Sequence, residues 1–437
     1  MIKRTLFIVL LLFYYGHLSG QQKSFEIVLK PVSNVLMTDS IQSAIDRCAI
    51  AGEGIVRFTE GIYLTGGIQL KSKVKLHLEK DVILKGSDKY ADYKNDAFIY
   101  GKDLSSISIE GEGIIDGVDC YNPKGEEGFR GPHCIRLINC SHIKIEGITI
   151  KNSANWAVNC RGCSFGIITN VTIRGGHDGL HTRFCDNFKV KGCDFRTGDD
   201  AFAGNDNHDF DISSCLVNTS CNGFRLGCMN LTVKHCTLWG PGESVHKIQK
   251  RNNMLSAFVH FSPEDEHPEL ISGNWTIEDI TVKDVDVFFM YNYKNGLWQT
   301  GKPFTTVNFK DIRASGILGA FYIVGDSAQS FRMSLKNSSF SYRKGDLIQE
   351  EKFEGVNLQS GEFFYADNFN AISLDRVTFE KRNSLVILKA ENGREISLNK
   401  VGFTNMSETK PMIFSNIEDI KKNHYYILRF NLLYDIE

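Results

Sequence analysis

The sequence predicts an all-β chain wound as a single-stranded parallel β-helix, a solenoid of about 22 residues per coil behind an N-terminal capping helix. Three observations predict it. Asp178 opens D-G-L, Asp200 opens D-A-F and Asn222 opens N-G-F, so two successive steps of 22 separate the three positions. Leu180, Phe202 and Phe224 repeat those steps, as do Cys163, Cys185 and Asn207. Further along each unit, an apolar triplet recurs as Ile145-Ile148-Ile150, Ile168-Val171-Ile173, Val190-Cys193-Phe195, Ile212-Cys215-Val217 and Val233-Cys236-Leu238. Short alternating runs mark strands, and a period near 22 lays one coil on the next. Residues one period apart therefore become spatial neighbours, roughly 4.8 Å away.

In chain order, Lys3 and Arg4 precede an apolar run from Leu6 to Tyr15 and then small residues. That pattern predicts a secretory signal peptide over residues 1–20 and a secreted or periplasmic location. The run is too short to span a bilayer as a helix, and no membrane anchor is expected. Next, Ile41, Ala44, Ile45, Cys48 and Ala49 share one helical face, with Asp39 or Ser40 as N-cap and Gly52 and Gly54 as terminators. From Ile55 on, strand patterns dominate, so residues 21–437 read as one β-helical domain. The step from Val233 to Ile277 is 44, two periods. A poorly patterned coil or an inserted loop is expected over Gly240–Gly273. The aromatic stretch from Phe288 to Gln299 is expected either to wall a cleft or to cover a coil edge.

Twelve cysteines raise the question of disulfides. Their spacing favours interior ladders: Cys140, Cys163 and Cys185 step by 23 and 22, and Cys193, Cys215 and Cys236 by 22 and 21. No paired C-x-x-C motif points to a metal, and no cofactor is expected. With 50 basic against 52 acidic residues, the net charge of -2 gives no footprint for nucleic acid. Oligomeric state has no signature.

The period brings Asp178 beside Asp199 and Asp200. Cleaving a glycosidic bond needs one carboxylic acid to protonate the leaving oxygen and a carboxylate to activate water or attack. Three crowded carboxyl groups also push their own proton affinities apart. A lone Asp at a β-helix turn more often caps the corner; three in register, flanked by Gly179 and Gly198, point to chemistry.

These coils resemble those of the polygalacturonases, family 28 of the glycoside hydrolases, as do SIQSAIDRCAIAGEGIVRF, IEGEGIIDG and IRLINCSHIKIEGITIKNSANWAV upstream. The resemblance implies a right-handed β-helix and hydrolysis with inversion of a pectin-type, galacturonate-containing polysaccharide or its oligosaccharides. Of the family's motifs, G-D-D is intact as Gly198-Asp199-Asp200, and the aspartate of N-T-D survives in Gly176-His177-Asp178. The resemblance assigns Asp199 as general acid, with Asp178 and Asp200 holding the attacking water. The family's histidine is replaced by Asn222, and its uronate-binding R-I-K has Lys247-Ile248-Gln249 as the nearest text. Candidate substrate-binding residues are therefore Asn222, Arg225, His177, His181, Lys247 and Lys250, with His246 and Arg251 beside the last two. Arg225 offers a bidentate guanidinium for a carboxylate. Because the uronate motif has drifted, a glycosidase of neutral galactosides, a polysaccharide lyase and a non-catalytic carbohydrate-binding β-helix remain open.

Overall fold

The computed structural model describes residues 25–261, 271–293, 301–343, 362–381, 386–404 and 411–428. The segment 1–20, expected to be a signal peptide, lies outside them. Among the described residues, 31 strands join in one continuous hydrogen-bonded array, and every strand pairing is parallel. The chain is a parallel β-helix.

Each coil contributes short strands whose inward positions are apolar. Val158 pairs with Leu180, Leu180 with Phe202, Phe202 with Phe224 and Phe224 with Phe258. Ile173, Phe195, Val217 and Leu238 form a second column in the same way. The predicted 22-residue step is thus the coil length here. In the interior, Phe224 stacks on Phe202 at 4.6 Å and on Phe258 at 4.9 Å between ring centroids, both within 8° of parallel. Repetition along the axis lets identical side chains stack in identical surroundings. All twelve cysteines are buried free thiols, as the ladder spacing predicts. Asn207 ends one ladder: its Oδ1 accepts the Cys185 N–H at 3.1 Å and its Nδ2 donates to the Thr182 carbonyl at 3.1 Å. A buried amide is tolerated there because both of its ends are satisfied.

The helix spans Thr38–Ile50 and buries Ile41, Ala44, Ile45 and Cys48. It starts earlier than expected: Met37 is the N-cap, with no side-chain capping bond, so neither Asp39 nor Ser40 serves. After it, Gly54 has no room for a side chain, because a Cβ would lie 2.7 Å from Cys48 Cβ.

Of the two readings of the long step the inserted loop holds, and the expectation for the aromatic stretch is corrected. The 44-residue step is one enlarged coil, since Thr232–Lys234 pairs directly with Thr276–Glu278 and Thr237–Trp239 with Thr281–Lys283. A loop from Gly240 and the strand Ser256–His260, which pairs with Asn222–Leu226, fill the extra length. The aromatics of Val287–Asn292 point into the core, with Phe288, Phe289 and Tyr291 fully buried. They neither wall a cleft nor cover an edge, while residues 294–299 lie outside the described set.

Candidate active site

The three key positions sit at one corner of successive coils, each at or just before the start of a strand: Leu180–Arg183, Phe202–Ser213 and Asn222–Lys234. Backbone bonds lock the corners together, Gly179 N–H to the Asp200 carbonyl at 2.9 Å and Ala201 N–H to the Asn222 carbonyl at 3.0 Å. One carboxylate oxygen from each of Asp178, Asp199 and Asp200 lies within 4.8 Å of the other two. Gly198 makes this crowding possible: a Cβ there would sit 2.8 Å from the Gly176 Cα and 2.7 Å from the Val245 carbonyl. The carboxylates open into a cleft of about 440 Å³.

Each carboxyl group has a different environment. Asp200 is buried and held as an acceptor: Oδ1 takes the Asn222 N–H at 3.1 Å and Asn222 Nδ2 at 2.7 Å, and Oδ2 takes Arg225 Nη1 at 3.2 Å. Asp178 is equally buried but faces His181 Nδ1 at 2.8 Å. Burial first, then the charges of Asp199 and Asp200, push the Asp178 carboxyl well above the usual carboxylate range, against the pull of Arg130 and Arg225. Asp199 is the most open, with 18% of its side chain exposed against 6% and 4% for Asp178 and Asp200. Its backbone carbonyl accepts the Thr197 hydroxyl at 2.8 Å and the Thr219 hydroxyl at 2.5 Å, which fixes the corner. Its Oδ1 accepts the Asp200 N–H at 3.0 Å, and its Oδ2 faces Arg130 at 3.9 Å and His246 Nε2 at 3.4 Å.

His246 comes from the enlarged coil. Its Nδ1 accepts the backbone N–H groups of Ile248 at 3.2 Å and Gln249 at 3.0 Å. Those bonds assign the proton of the neutral ring to Nε2, the atom aimed at Asp199. The loop carrying it is tied to the coil beneath by Arg251 donating to the Ser220 carbonyl at 2.7 Å and by Asn218 Nδ2 donating to the Pro241 carbonyl at 2.9 Å. Asp199, Cys221 and His246 also place an O, an S and an N within 4.8 Å. They do not fit a metal, because a ligating histidine donates through its second nitrogen, whereas this Nδ1 accepts.

Of the predicted residues, Asp178, Asp199, Asp200, His181 and Arg225 line the cleft. His181 is stacked on Trp156 at 3.5 Å with a 2° interplanar angle. The other four do not line it. Asn222 is 1% exposed, and its Oδ1 accepts the Ser256 hydroxyl at 2.7 Å, so it is a support behind Asp200 rather than a contact for sugar. His177 is buried against Phe129. Lys247 lies across Gly176 and pairs with Asp119. Lys250 is exposed on its loop. The R-I-K comparison is also displaced: the residues stacked on Asn222–Leu226 are Ser256–His260, which carry no Lys or Arg. His246, named with the basic cluster, lines the cleft too, as do Arg130, Trp156, Arg183 and Phe261, which the sequence did not mark as substrate contacts. His246 had a signal, as the one histidine in the basic segment; the loop residue Arg130 had none, since no period fixes a loop.

Buried histidines give this region a pH dependence. Burial, helped by neighbouring cations, lowers His133 and His177 to about 3, as burial does His260, and holds His181 well below its usual value. Each group's folded pKa is depressed, so its contribution to stability is present above pH 6.5 and is lost as pH falls toward 3. Asp178, being raised, acts oppositely: its contribution is lost as pH rises from about 3.8 through its raised folded value. Four histidines outweigh one carboxyl. Between pH 7 and 4.5 the urea midpoint should fall, His133, His177 and His260 each contributing on the order of 2 kcal/mol, and His177→Gln should flatten the fall. An unchanged midpoint across that range contradicts this account.

Fold and site together define a β-helix bearing a clustered-carboxylate site of the glycoside-hydrolase kind. Residues 56–242 match Glycosyl hydrolases family 28, so the polygalacturonase-like character read from the motifs is shown over that stretch. The chain is 28% identical over 163 residues to a polygalacturonase of Ralstonia solanacearum, covering 28% of this chain and 31% of that protein. It is 31% identical over 147 residues to an exo-poly-alpha-D-galacturonosidase of Dickeya chrysanthemi, covering 28% and 24%. The matches span between 24% and 35% of the curated relatives' own length. Among solved structures, the family 28 exopolygalacturonase of Yersinia enterocolitica aligns with a TM-score of 0.56 at 14% identity, over 91% of this chain and 78% of that one. That likeness concerns the fold.

Proposed function

We propose that this chain is a secreted glycoside hydrolase that cleaves a galacturonate-containing polysaccharide, or its oligosaccharides, with inversion. The observation that carries the reading is three carboxylates within 4.8 Å of one another in three unlike environments at the floor of one cleft. Resemblance to family 28 supplies the substrate class. It also supplies the right-handed winding, the hand that parallel crossovers take in about 98% of cases. Residues 21–437 are read as one domain capped by the helix Thr38–Ile50, and the segment 1–20 as the export signal.

Asp199, the carboxyl most open to the cleft, protonates the departing oxygen. In the empty cleft the proton rests on Asp178, and with substrate present it moves to Asp199, leaving Asp178 and Asp200 to hold water and take its proton. Close spacing alone would suit a double displacement, for which carboxyl groups about 5–5.5 Å apart are usual, against about 6.5–9.5 Å for inversion. Occupancy favours water as the nucleophile: both Asp200 oxygens accept hydrogen bonds and Asp178 is tied to His181. His246 keeps its N–H on Asp199 and assists as the carboxylate forms.

The test is incubation with polygalacturonate, rhamnogalacturonan and neutral galactan oligosaccharides, following reducing ends, ultraviolet absorbance and the first-formed anomer by NMR. Reducing ends from an acidic substrate, with inverted configuration, support the proposal. An ultraviolet-absorbing product would mean a lyase, and a retained anomer would return Asp178 or Asp200 to the role of nucleophile. Turnover of neutral galactan alone would keep the chemistry and remove the uronate.

A further inference from the structure

Three guanidinium groups line the cleft, and they differ in what they already hold. Arg130 is engaged at all three nitrogens: Nε and Nη2 donate to Glu127 at 2.7 and 3.3 Å, and Nη1 to Asn155 at 3.2 Å. Arg225 donates to Asp200 at 3.2 Å and lies over Phe261, 3.5 Å from the ring centroid. Releasing it to a sugar would strip Asp200 of its counter-ion. The Arg183 guanidinium makes no hydrogen bond or ion pair among the described residues. Its guanidinium carbon lies 5.7 Å from the Phe184 ring centroid, and its Nε is buried without a partner.

We propose that Arg183 is the residue that takes the carboxylate of an acidic sugar in this cleft, making its subsite specific for a uronate. The inference rests on the glycoside-hydrolase reading above and adds the source of its substrate selectivity. A cation with unsatisfied donors at the wall of a cleft is costly unless a ligand completes it, and a planar guanidinium suits a carboxylate through two parallel bonds. Placement agrees. Arg183 follows His181 by two residues on the strand Leu180–Arg183, so both side chains leave the same face, roughly 6.6 Å apart. That is about one sugar ring. His181 is bonded to Asp178, which puts Arg183 one ring from the carboxylates. On the next coil Arg183 pairs with Asn205, another cleft residue. No rival cation occupies the strand stacked on Asn222–Leu226, and Lys247 is engaged with Asp119.

The experiment compares oligogalacturonate with its fully methyl-esterified, uncharged counterpart on the wild-type protein, Arg183→Gln and Arg183→Lys. The wild type should prefer the acid by about 10- to 100-fold in kcat/KM, mainly through KM. Arg183→Gln should lose that preference while handling the ester as the wild type does, and Arg183→Lys should restore part of it. Preference for the acid retained in Arg183→Gln overturns the inference. If neither substrate is hydrolysed, the functional reading has failed, and binding decides separately. Oligogalacturonate is then titrated calorimetrically into Asp199→Asn and into Asp199→Asn/Arg183→Gln. An affinity at least about 10-fold weaker in the double variant supports Arg183; equal affinity, or none in either, overturns it. Thermal denaturation confirms folding, and no native hydrogen bond among the described residues is lost with the guanidinium.

Discussion

Asp199→Asn should lower kcat on an acidic galacturonan by about 10³-fold, leave KM nearly unchanged and leave the fold intact. The size follows from removing a positioned general acid, whose contribution is typically about 10²–10⁴. Structural cost is small because Thr197 and Thr219 hold the backbone carbonyl of residue 199, not its side chain. The amide oxygen can still accept the Asp200 N–H, a contact of 3.0 Å in the wild type. Removing one of three crowded charges should even raise the denaturation midpoint slightly, since Asp199 is the larger of the two charges that push Asp178 upward. The role itself is read from leaving-group dependence. On a substrate whose aglycone leaves without a proton, Asp199→Asn should recover most of its loss, whereas Asp200→Asn should not. If both variants respond alike to an activated leaving group, Asp199 is not the acid.

The carboxylate cluster was legible because it depends on register, and register is a property of the repeat. Asp178, Asp200 and Asn222 at equal steps must stack once Leu180, Phe202 and Phe224 do. The same step of 22 sets Arg225 above Ala203 and Ala203 above His181, and the structure pairs them so. What the period does not reach is the direction of a side chain at a corner. Asn222 occupies the register of a substrate contact yet turns inward, because Asp200 and Ser256 satisfy it from two sides. His177 and His181 flank the same aspartate and separate by face: one packs on Phe129, the other opens to the cleft. Loops are the other limit. Arg130 and His246 reach Asp199 from segments without periodicity, and a loop can meet any coil it passes over. Asn222, at the position where the resemblance expects a histidine, and His246, the imidazole at Asp199, are 24 residues apart in the sequence (246 minus 222), and no period joins them.

The site rests on the aromatic column beneath it, and Phe224→Ala tests how far. Phe224 is fully buried between Phe202 and Phe258 in near-parallel stacks at 4.6 and 4.9 Å. Truncation removes the ring from both contacts and leaves a cavity that rigid coils above and below cannot close, so a loss of about 3–5 kcal/mol is expected. In a solenoid each coil is stabilised mainly by its two neighbours, which concentrates the damage at the interface between the Asp200 and Asn222 coils. Asn222 lies two residues before Phe224 and supplies two of the donors to Asp200 Oδ1, at 3.1 and 2.7 Å. Activity should therefore fall with stability, at temperatures where the protein remains folded. Phe224→Leu, which keeps most of the volume, should retain more of both. The measurement is the urea midpoint alongside kcat at low temperature. A loss under about 1 kcal/mol would show that the column fills space without holding the coils. A full loss of stability with unchanged kcat would show that Asn222 keeps its grip on Asp200 without the ring beneath it.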